Sequence, residues 1–339
     1  MPLPPKWLRR LLLAPGLVVL VAGALLTLPI WLIAAAFVSR YVPGNWRILR
    51  IFWFLFLYSL VEGVALVLMF VLWVVSGLGW KLRGAFFQHI HYRLLALMLR
   101  IVIRTAKRTF RLTIEMEGPP PTTGQIRTRP ALVLSRHAGP GDSMMLMDAL
   151  CNVYQREPRI VLKEFLQWDP AVDVILNRLP ASFVPSGEGA GENVVEAIRV
   201  LAETMAVDDA FVIFPEGANY TLGRAEKAIQ KLREIGRPDL AERAEMLEQT
   251  LPPKPKGVMT ALAAAPLGTD VFLVAHAGLE GFVSAGDIWR EIPMDTRVAV
   301  RIWHYPAEQI PGPDQQETWL YDRWTEIDSW IGGHLAGTG

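Results

Sequence analysis

The sequence predicts an α/β fold, a mixed and largely parallel sheet covered by helices, preceded by an N-terminal two-helix membrane anchor. Three observations carry that expectation. Two long, almost uncharged runs stand near the N-terminus, Leu11 to Val38 and Ile51 to Gly79. From about residue 130 onward, short apolar runs alternate with helix-like stretches at the spacing of strand–helix–strand units. Two of those runs end in Gly/Pro turns bearing ionisable side chains: Ser135-Arg136-His137-Ala138-Gly139-Pro140-Gly141-Asp142 after Ala131–Leu134, and Pro215-Glu216-Gly217 after Phe211–Phe214. Open α/β sheets build their sites at such strand ends.

At 339 residues the chain accommodates one sizeable domain with an appendage, or two domains. The expected division is an anchor over 1–80, a basic helix with a connecting strand and loop over 81–128, an α/β domain over 129–310 with a charged helical insertion at 221–256, and a C-terminal tail over 311–339. A net charge of +1 gives no argument for a nucleic-acid partner. The hydrophobic share of 52% exceeds that of ordinary soluble domains, and the excess sits at the N-terminus.

Each N-terminal run exceeds the roughly 20 apolar residues that a span requires. The first is too long for the core of a cleaved signal peptide and leads into Arg40-Tyr41 instead of a small-residue cleavage site. Lys6, Arg9 and Arg10 precede it, and Lys81 and Arg83 follow the second run, which favours both ends inside. Arg40, Arg47 and Arg50 in the connecting loop weaken that rule, so a shallow hairpin stays open beside a full crossing. Glu62 within the second run is either a functional carboxylate or a carboxyl kept neutral or paired inside the hairpin. A single cysteine, Cys151, forms no intrachain disulfide and reads as a packing residue in a reducing compartment.

From His89 to Arg111 apolar residues recur at helical spacing with arginines and lysines between them, the pattern of a basic amphipathic helix lying along a membrane surface. Leu112–Met116 alternates like a strand, and Pro119–Gly124 reads as a loop. Strands are expected at 131–135, 159–162, 181–184, 210–214, 271–275 and 297–303, with helices at 143–154, 193–205 and 257–265. Between Thr221 and Lys256 the rhythm breaks into a solvated helical excursion rich in Lys, Arg and Glu, a lid or a plain exposed hairpin. Gly332 to Gly339 reads as a loose end.

A histidine followed five residues later by an aspartate across Gly139-Pro140-Gly141 can fold back so that the carboxylate accepts from one ring nitrogen. The other nitrogen is then free as a general base. Asp142 also stands where a helix begins, so an N-cap role competes. Pro215-Glu216-Gly217 is expected to present a carboxylate and free N–H groups at the sheet edge, a turn that binds polar acceptors or anions; a plain surface turn competes.

His137 with Asp142, Lys163-Glu164 with Pro170, Phe214-Pro215-Glu216-Gly217, and Lys256-Gly257 followed by Asp270–Val274 together resemble the four motifs of the lysophospholipid acyltransferase family. Its best-known members are the 1-acylglycerol-3-phosphate acyltransferases, and the resemblance covers roughly residues 110 to 305. It implies a membrane-bound O-acyltransferase. By it, His137 deprotonates the hydroxyl of a lysophospholipid acceptor, lysophosphatidate or a related lyso-glycerophospholipid, and Asp142 orients His137. The acceptor attacks an acyl-CoA or acyl-carrier-protein thioester without an acyl-enzyme. Glu216, Gly217, Asn219, Lys163 and Arg136 would bind substrate, with no metal and no bound cofactor. The implied location is the cell inner membrane, the α/β domain on its cytoplasmic side.

Two positions depart from the family's pattern. Asn219 stands where F-P-E-G-T-R has its arginine, and Ser186 stands where the second motif has a base. Arg136, Arg178, Lys163, Arg224 or Lys256 could supply the charge; alternatively the acceptor carries a differently placed phosphate or a polyol, which Asn219 and Tyr220 would suit. Competing classes are a coenzyme-independent transacylase and a non-catalytic lipid-binding protein. An esterase would require a G-x-S-x-G turn, which Ser135, Ser143 and Ser186 do not form.

Overall fold

The computed structural model describes residues 3–119, 128–139, 141–185, 190–281 and 285–336. Along the chain run α1 (Lys6–Leu26), α2 (Leu28–Ser39), α3 (Arg47–Val75), α4 (Ala85–Phe110), β1 (Thr113–Glu117), β2 (Ala131–Ser135), α5 (Asp142–Asp148), β3 (Glu157–Lys163), α6 (Pro170–Leu176) and β4 (Ala181–Val184). There follow α7 (Ala190–Glu203), β5 (Asp209–Ile213), α8 (Leu222–Glu234), α9 (Pro238–Glu245), α10 (Pro255–Ala264), β6 (Asp270–Ala277), α11 (Ala285–Glu291), β7 (Arg297–Tyr305) and α12 (Pro313–Ala336). The expected loop at 119–124 and Ser186 lie, wholly or nearly so, outside the described residues.

The chain divides into two compact units, and the division differs from the expected one. Residues 1–113, 144–190 and 286–296 form the first; residues 114–143, 191–285 and 297–339 form the second. The α/β region therefore does not separate from the anchor at residue 80 or 128, because residues 144–190 pack with the N-terminal helices.

In the first unit, α1, α3 and α4 are long and apolar enough to cross a membrane. The run from Leu11 to Val38 is not one span. Pro29 near the start of α2 cannot donate a backbone hydrogen bond and disfavours helical geometry in Leu28, so α1 stops at Leu26 and α2 restarts at Leu28. Helix α3 turns one face inward, where Ala65, Leu66 and Met69 share a core with Ala171, Val174, Ile175 and Leu179. Burying each of the larger side chains there stabilises the unit by about 1.5–3 kcal/mol. Glu62 is on that buried face, beside Asp169, which also accepts the Tyr58 hydroxyl at 2.9 Å. Arg9 reaches Asp173 at 2.9 Å and Gln167 at 2.7 Å. Helix α4 is amphipathic as expected: Tyr92, Leu94, Leu99, Val102 and Ile103 are buried, and Arg93, Arg100 and Arg104 are exposed. Strands β3 and β4 pair in parallel. Cys151 is half-buried, and burial, aided by Asp148 and Glu157, pushes its thiol up to about 12, which suits packing and not nucleophilic attack.

The second unit holds strands in the order β1-β7-β6-β2-β5. Strand β2 is parallel to both β5 and β6, and β6 pairs antiparallel with β7. Every residue of β2, β5 and β6 is buried, as expected for strands covered on both faces. Their parallel run brings three C-terminal ends to one edge: 136–142 after β2, 214–217 after β5 and 278–280 after β6.

The C-terminal tail expected over 311–339 is instead largely helix α12. Leu320, Trp324, Ile327 and Ile331 fall at helical spacing and are at most 1% exposed, an apolar stripe that the reading of 311–339 as a tail left out. Trp324→Ala should therefore lower unfolding stability by about 3–5 kcal/mol, read from denaturant melts in detergent; a loss below about 1 kcal/mol would mean that α12 is not part of the core.

Candidate active site

The loop after β2 is built around one carboxylate. Asp142 accepts His137 Nδ1 at 2.9 and 3.1 Å, the Ala138 N–H at 2.8 Å, the Gly139 N–H at 3.2 Å and the Ser143 hydroxyl at 3.1 Å, as well as the Ser143 N–H. Its side chain thus turns back onto the loop, beyond the simple N-cap that competes in the sequence. Gly141 makes the return, at φ +100°, a conformation that L side chains rarely adopt. Pro140 lies outside the described residues. Burial alone would push Asp142 up, yet the hydrogen bond from His137 and the proximity of His276 hold it well below the usual carboxylate range. An ionised, donor-saturated Asp142 keeps the proton on His137 Nδ1, leaving Nε2 as the basic nitrogen. The His137 side chain remains 28% exposed against 2% for Asp142, so the histidine is the accessible partner of the pair. The Phe214 ring lies 4.9 Å from the imidazole, centroid to centroid.

His276 is a residue that the sequence reading missed. Its Nε2 stands 3.6 Å from Asp142 Oδ2, beyond hydrogen-bond length, so its influence is electrostatic. The signal was in the register. Ser135 is level with Val274 across β2 and β6, so two residues further along, His137 and His276 fall level as well. An expected strand end at Ala275 concealed this.

The turn after β5 departs from expectation. Glu216 is 1% exposed, and its carboxylate points inward. One oxygen accepts the His137 N–H at 3.1 Å and the other accepts the Leu251 N–H at 3.0 Å. It braces two loops and is not presented at the sheet edge as the sequence suggests. Buried N–H donors that a carboxylate satisfies cannot be given up cheaply. Arg136 is corrected likewise. At 1% exposure it donates to the His276 carbonyl at 2.6 Å and the Gln249 carbonyl at 3.0 Å, and pairs with Glu280, so it cannot face an acceptor. Lys163 is exposed at the end of β3, which belongs to the other unit.

The excursion after Thr221 is two helices, α8 and α9, whose return is fastened. Asp328 of α12 accepts the Glu248 and Gln249 N–H groups at 3.0 and 2.8 Å and the Thr250 hydroxyl at 2.9 Å. Leu251 then bonds Glu216, and the Lys254 N–H bonds the Pro215 carbonyl at 3.0 Å. This return strap brings Lys254 to the turn. Gly217 sits at φ +70°, and a Cβ built on it would meet Lys254 Nζ at 2.6 Å. Asn219 is half-buried, and its carbonyl accepts Arg224 Nη1 at 3.0 Å. Two cations thus meet the turn, from Arg224 and Lys254. Arg224 is among the cations expected from the sequence; Lys254 is not, because the strap that carries it closes through space. Lys256 is exposed near the start of α10. Among the described residues no cluster of His, Cys, Asp and Glu has the makings of a metal site.

Residues 119–274 match the family model described as Acyltransferase. That segment contains His137, Asp142 and Glu216, and His276 lies two residues beyond it. No curated protein matches the sequence. Among solved structures, the chain is similar to the crystal structure of the 1-acyl-sn-glycerophosphate (LPA) acyltransferase PlsC from Thermotoga maritima, with 15% identity and a TM-score of 0.43, over 80% of this chain and 96% of that one.

Burial pushes Glu216 up to about 7, against the pull of its two backbone donors and of Arg136. A folded-state value above the ordinary one means that the contribution is complete below about pH 4.5 and is lost as pH rises through about 7. The stability of the wild type relative to Glu216→Gln should fall between pH 5 and 9 by on the order of 3 kcal/mol. Parallel melts across that range read it, and a pH-independent difference would mean that Glu216 does not titrate there.

Proposed function

We propose, from the match of residues 119–274 to the Acyltransferase family model, that this chain moves a fatty acyl group from an acyl thioester to the free hydroxyl of a lysophospholipid, using His137 as general base. The observation that carries the reading is the Asp142-bound imidazole, its side chain 28% exposed where Asp142 is buried. In the proposed step Nε2 takes the proton of the acceptor hydroxyl as its oxygen bonds to the thioester carbonyl carbon. The tetrahedral intermediate collapses, the C–S bond breaks, and the departing thiolate receives the proton from His137. Asp142 stabilises the imidazolium between these transfers and fixes the tautomer. Glu216 and Arg136 act behind them by holding the backbone of residues 136–137.

The donor we favour is acyl-CoA, with acyl carrier protein as the other thioester source. The acceptor remains in the bilayer, which accounts for an enzyme carrying α1, α3 and the basic α4. With the segment before the first N-terminal apolar run and the segment after the second both inside, as their charges favour, the α/β domain lies on the cytoplasmic side of the inner membrane. For the acceptor's anionic head group, Lys254 and Arg224 provide the positive charge that Asn219 does not, while Gly217 and the Asn219 amide line the turn.

Membranes carrying the protein, supplied with acyl-CoA and a panel of lysophospholipids, test the reading. Transfer should fall at least about a hundredfold in His137→Ala while the protein stays membrane-bound. Undiminished turnover would eliminate His137 as the base. Lys254→Gln should raise KM for the acceptor severalfold with kcat nearly intact; an unchanged KM would remove Lys254 from acceptor recognition.

A further inference from the structure

The first unit holds a second concentration of charge, made only of its own residues. Lys6, Arg10, Arg83 and Arg178 line a cavity of about 380 Å³ together with Trp73 and Trp80. None of the described residues lining it is acidic. The neighbouring carboxylate of Asp173, whose side chain is 2% exposed, is shared by Arg9 at 2.9 Å and Arg10 at 3.6 Å.

The other partners of these cations are neutral. Lys6 Nζ donates to the Asn177 side chain at 3.0 Å, and Arg178 Nη1 donates to the Met69 carbonyl at 2.8 Å and stands 3.0 Å from His91 Nε2. Such groups orient a cation without neutralising it. Arg10 Nη2 is buried with no hydrogen-bond partner among the described residues. Burial and the charge of Arg10 pull Arg178 down to about 10, the mark of a cation with too little negative charge around it. Like charges held together around a cavity of this size call for an anion.

The location narrows the anion's source. The cavity lies where α3 ends at Val75, and Leu78 and Trp80 beside it are exposed. Tryptophans at the end of an apolar helix sit at head-group level. Guanidinium forks suit phosphate oxygens.

We infer that this cavity binds a phosphate-bearing anion between Arg10, Arg83 and Arg178, and that its position favours the head group of a membrane phospholipid as the source. The binding is independent of the acyl-transfer reading.

The full-length protein in neutral detergent, stripped of lipid, would be titrated with phosphatidylglycerol, phosphatidylcholine of the same chains, or inorganic phosphate, and bound phosphorus counted per chain. Phosphatidylglycerol should saturate near one per chain and bind about tenfold more tightly than phosphatidylcholine. Arg83→Gln and Lys6→Gln, both exposed positions, should each weaken it about tenfold, whereas Arg104→Gln, an exposed cation elsewhere in the unit, should change it less than twofold. Inorganic phosphate binding as tightly, with the same pattern among variants, would keep the site and assign it to a soluble anion. An equal loss in Arg104→Gln, or no saturable binding of any anion by protein with unchanged circular dichroism, would overturn the inference.

Discussion

The buried carboxylate of Glu216 is the constraint on which the second unit's site depends. Its two oxygens are claimed by backbone N–H groups from chain segments far apart in sequence, at His137 and Leu251. Each donor is at a loop that has just left regular structure and has no ladder partner of its own, so the carboxylate completes hydrogen bonding the sheet cannot supply. Arg136 does the reciprocal work with carbonyls, collecting those of Gln249 and His276. One buried acid and one buried base thus fasten the ends of β2, β5 and β6 to the return strap, and the backbone of His137 is fixed before its side chain does anything.

That fixation is what gives the histidine–aspartate pair its chemical value. A dyad in a mobile loop would spend much of its time out of reach of a substrate. Here Asp142 is saturated by loop donors and His137 is held at its backbone by Glu216, so in the proposed transfer the imidazole need not reorganise as a proton arrives. His276 adds a second imidazole beside Asp142 Oδ2 at a distance too long for a hydrogen bond, a further bias toward an ionised aspartate.

Much of this was legible in the sequence, and what was not has a common cause. Strands β2, β5 and β6 announce themselves because strands buried on both faces are continuous apolar runs, and the dyad is visible because five residues around two glycines close locally. The inward turn of Glu216 was not legible. Its donors are 79 and 35 residues away, and a Pro-Glu-Gly tripeptide reads as exposed until those donors are placed. Arg136 misled for the same reason, since an arginine beside a histidine looks available until three segments converge on it. The grouping of 144–190 with the N-terminal helices rests on the apolar face of α6 meeting Ala65, Leu66 and Met69, a match between two faces that each look self-sufficient. Lys254 belongs to this class too.

The excursion between Thr221 and Lys254 then has a definite physical role. Lengthening a loop costs little entropy once its ends are fixed, and both ends here are tied to the same turn, through Arg224 to the Asn219 carbonyl and through Lys254 to the Pro215 carbonyl. A motif read along the chain asks for a cation at one position after Gly217 and finds Asn219. Read through space, the same turn is met by a guanidinium from one end of the excursion and an ammonium from the other. The ammonium lies so close to Gly217 that a side chain there would displace it. The glycine and the lysine are therefore a matched pair: the left-handed turn requires the residue without a Cβ, and the vacated space is where the strap sets its charge.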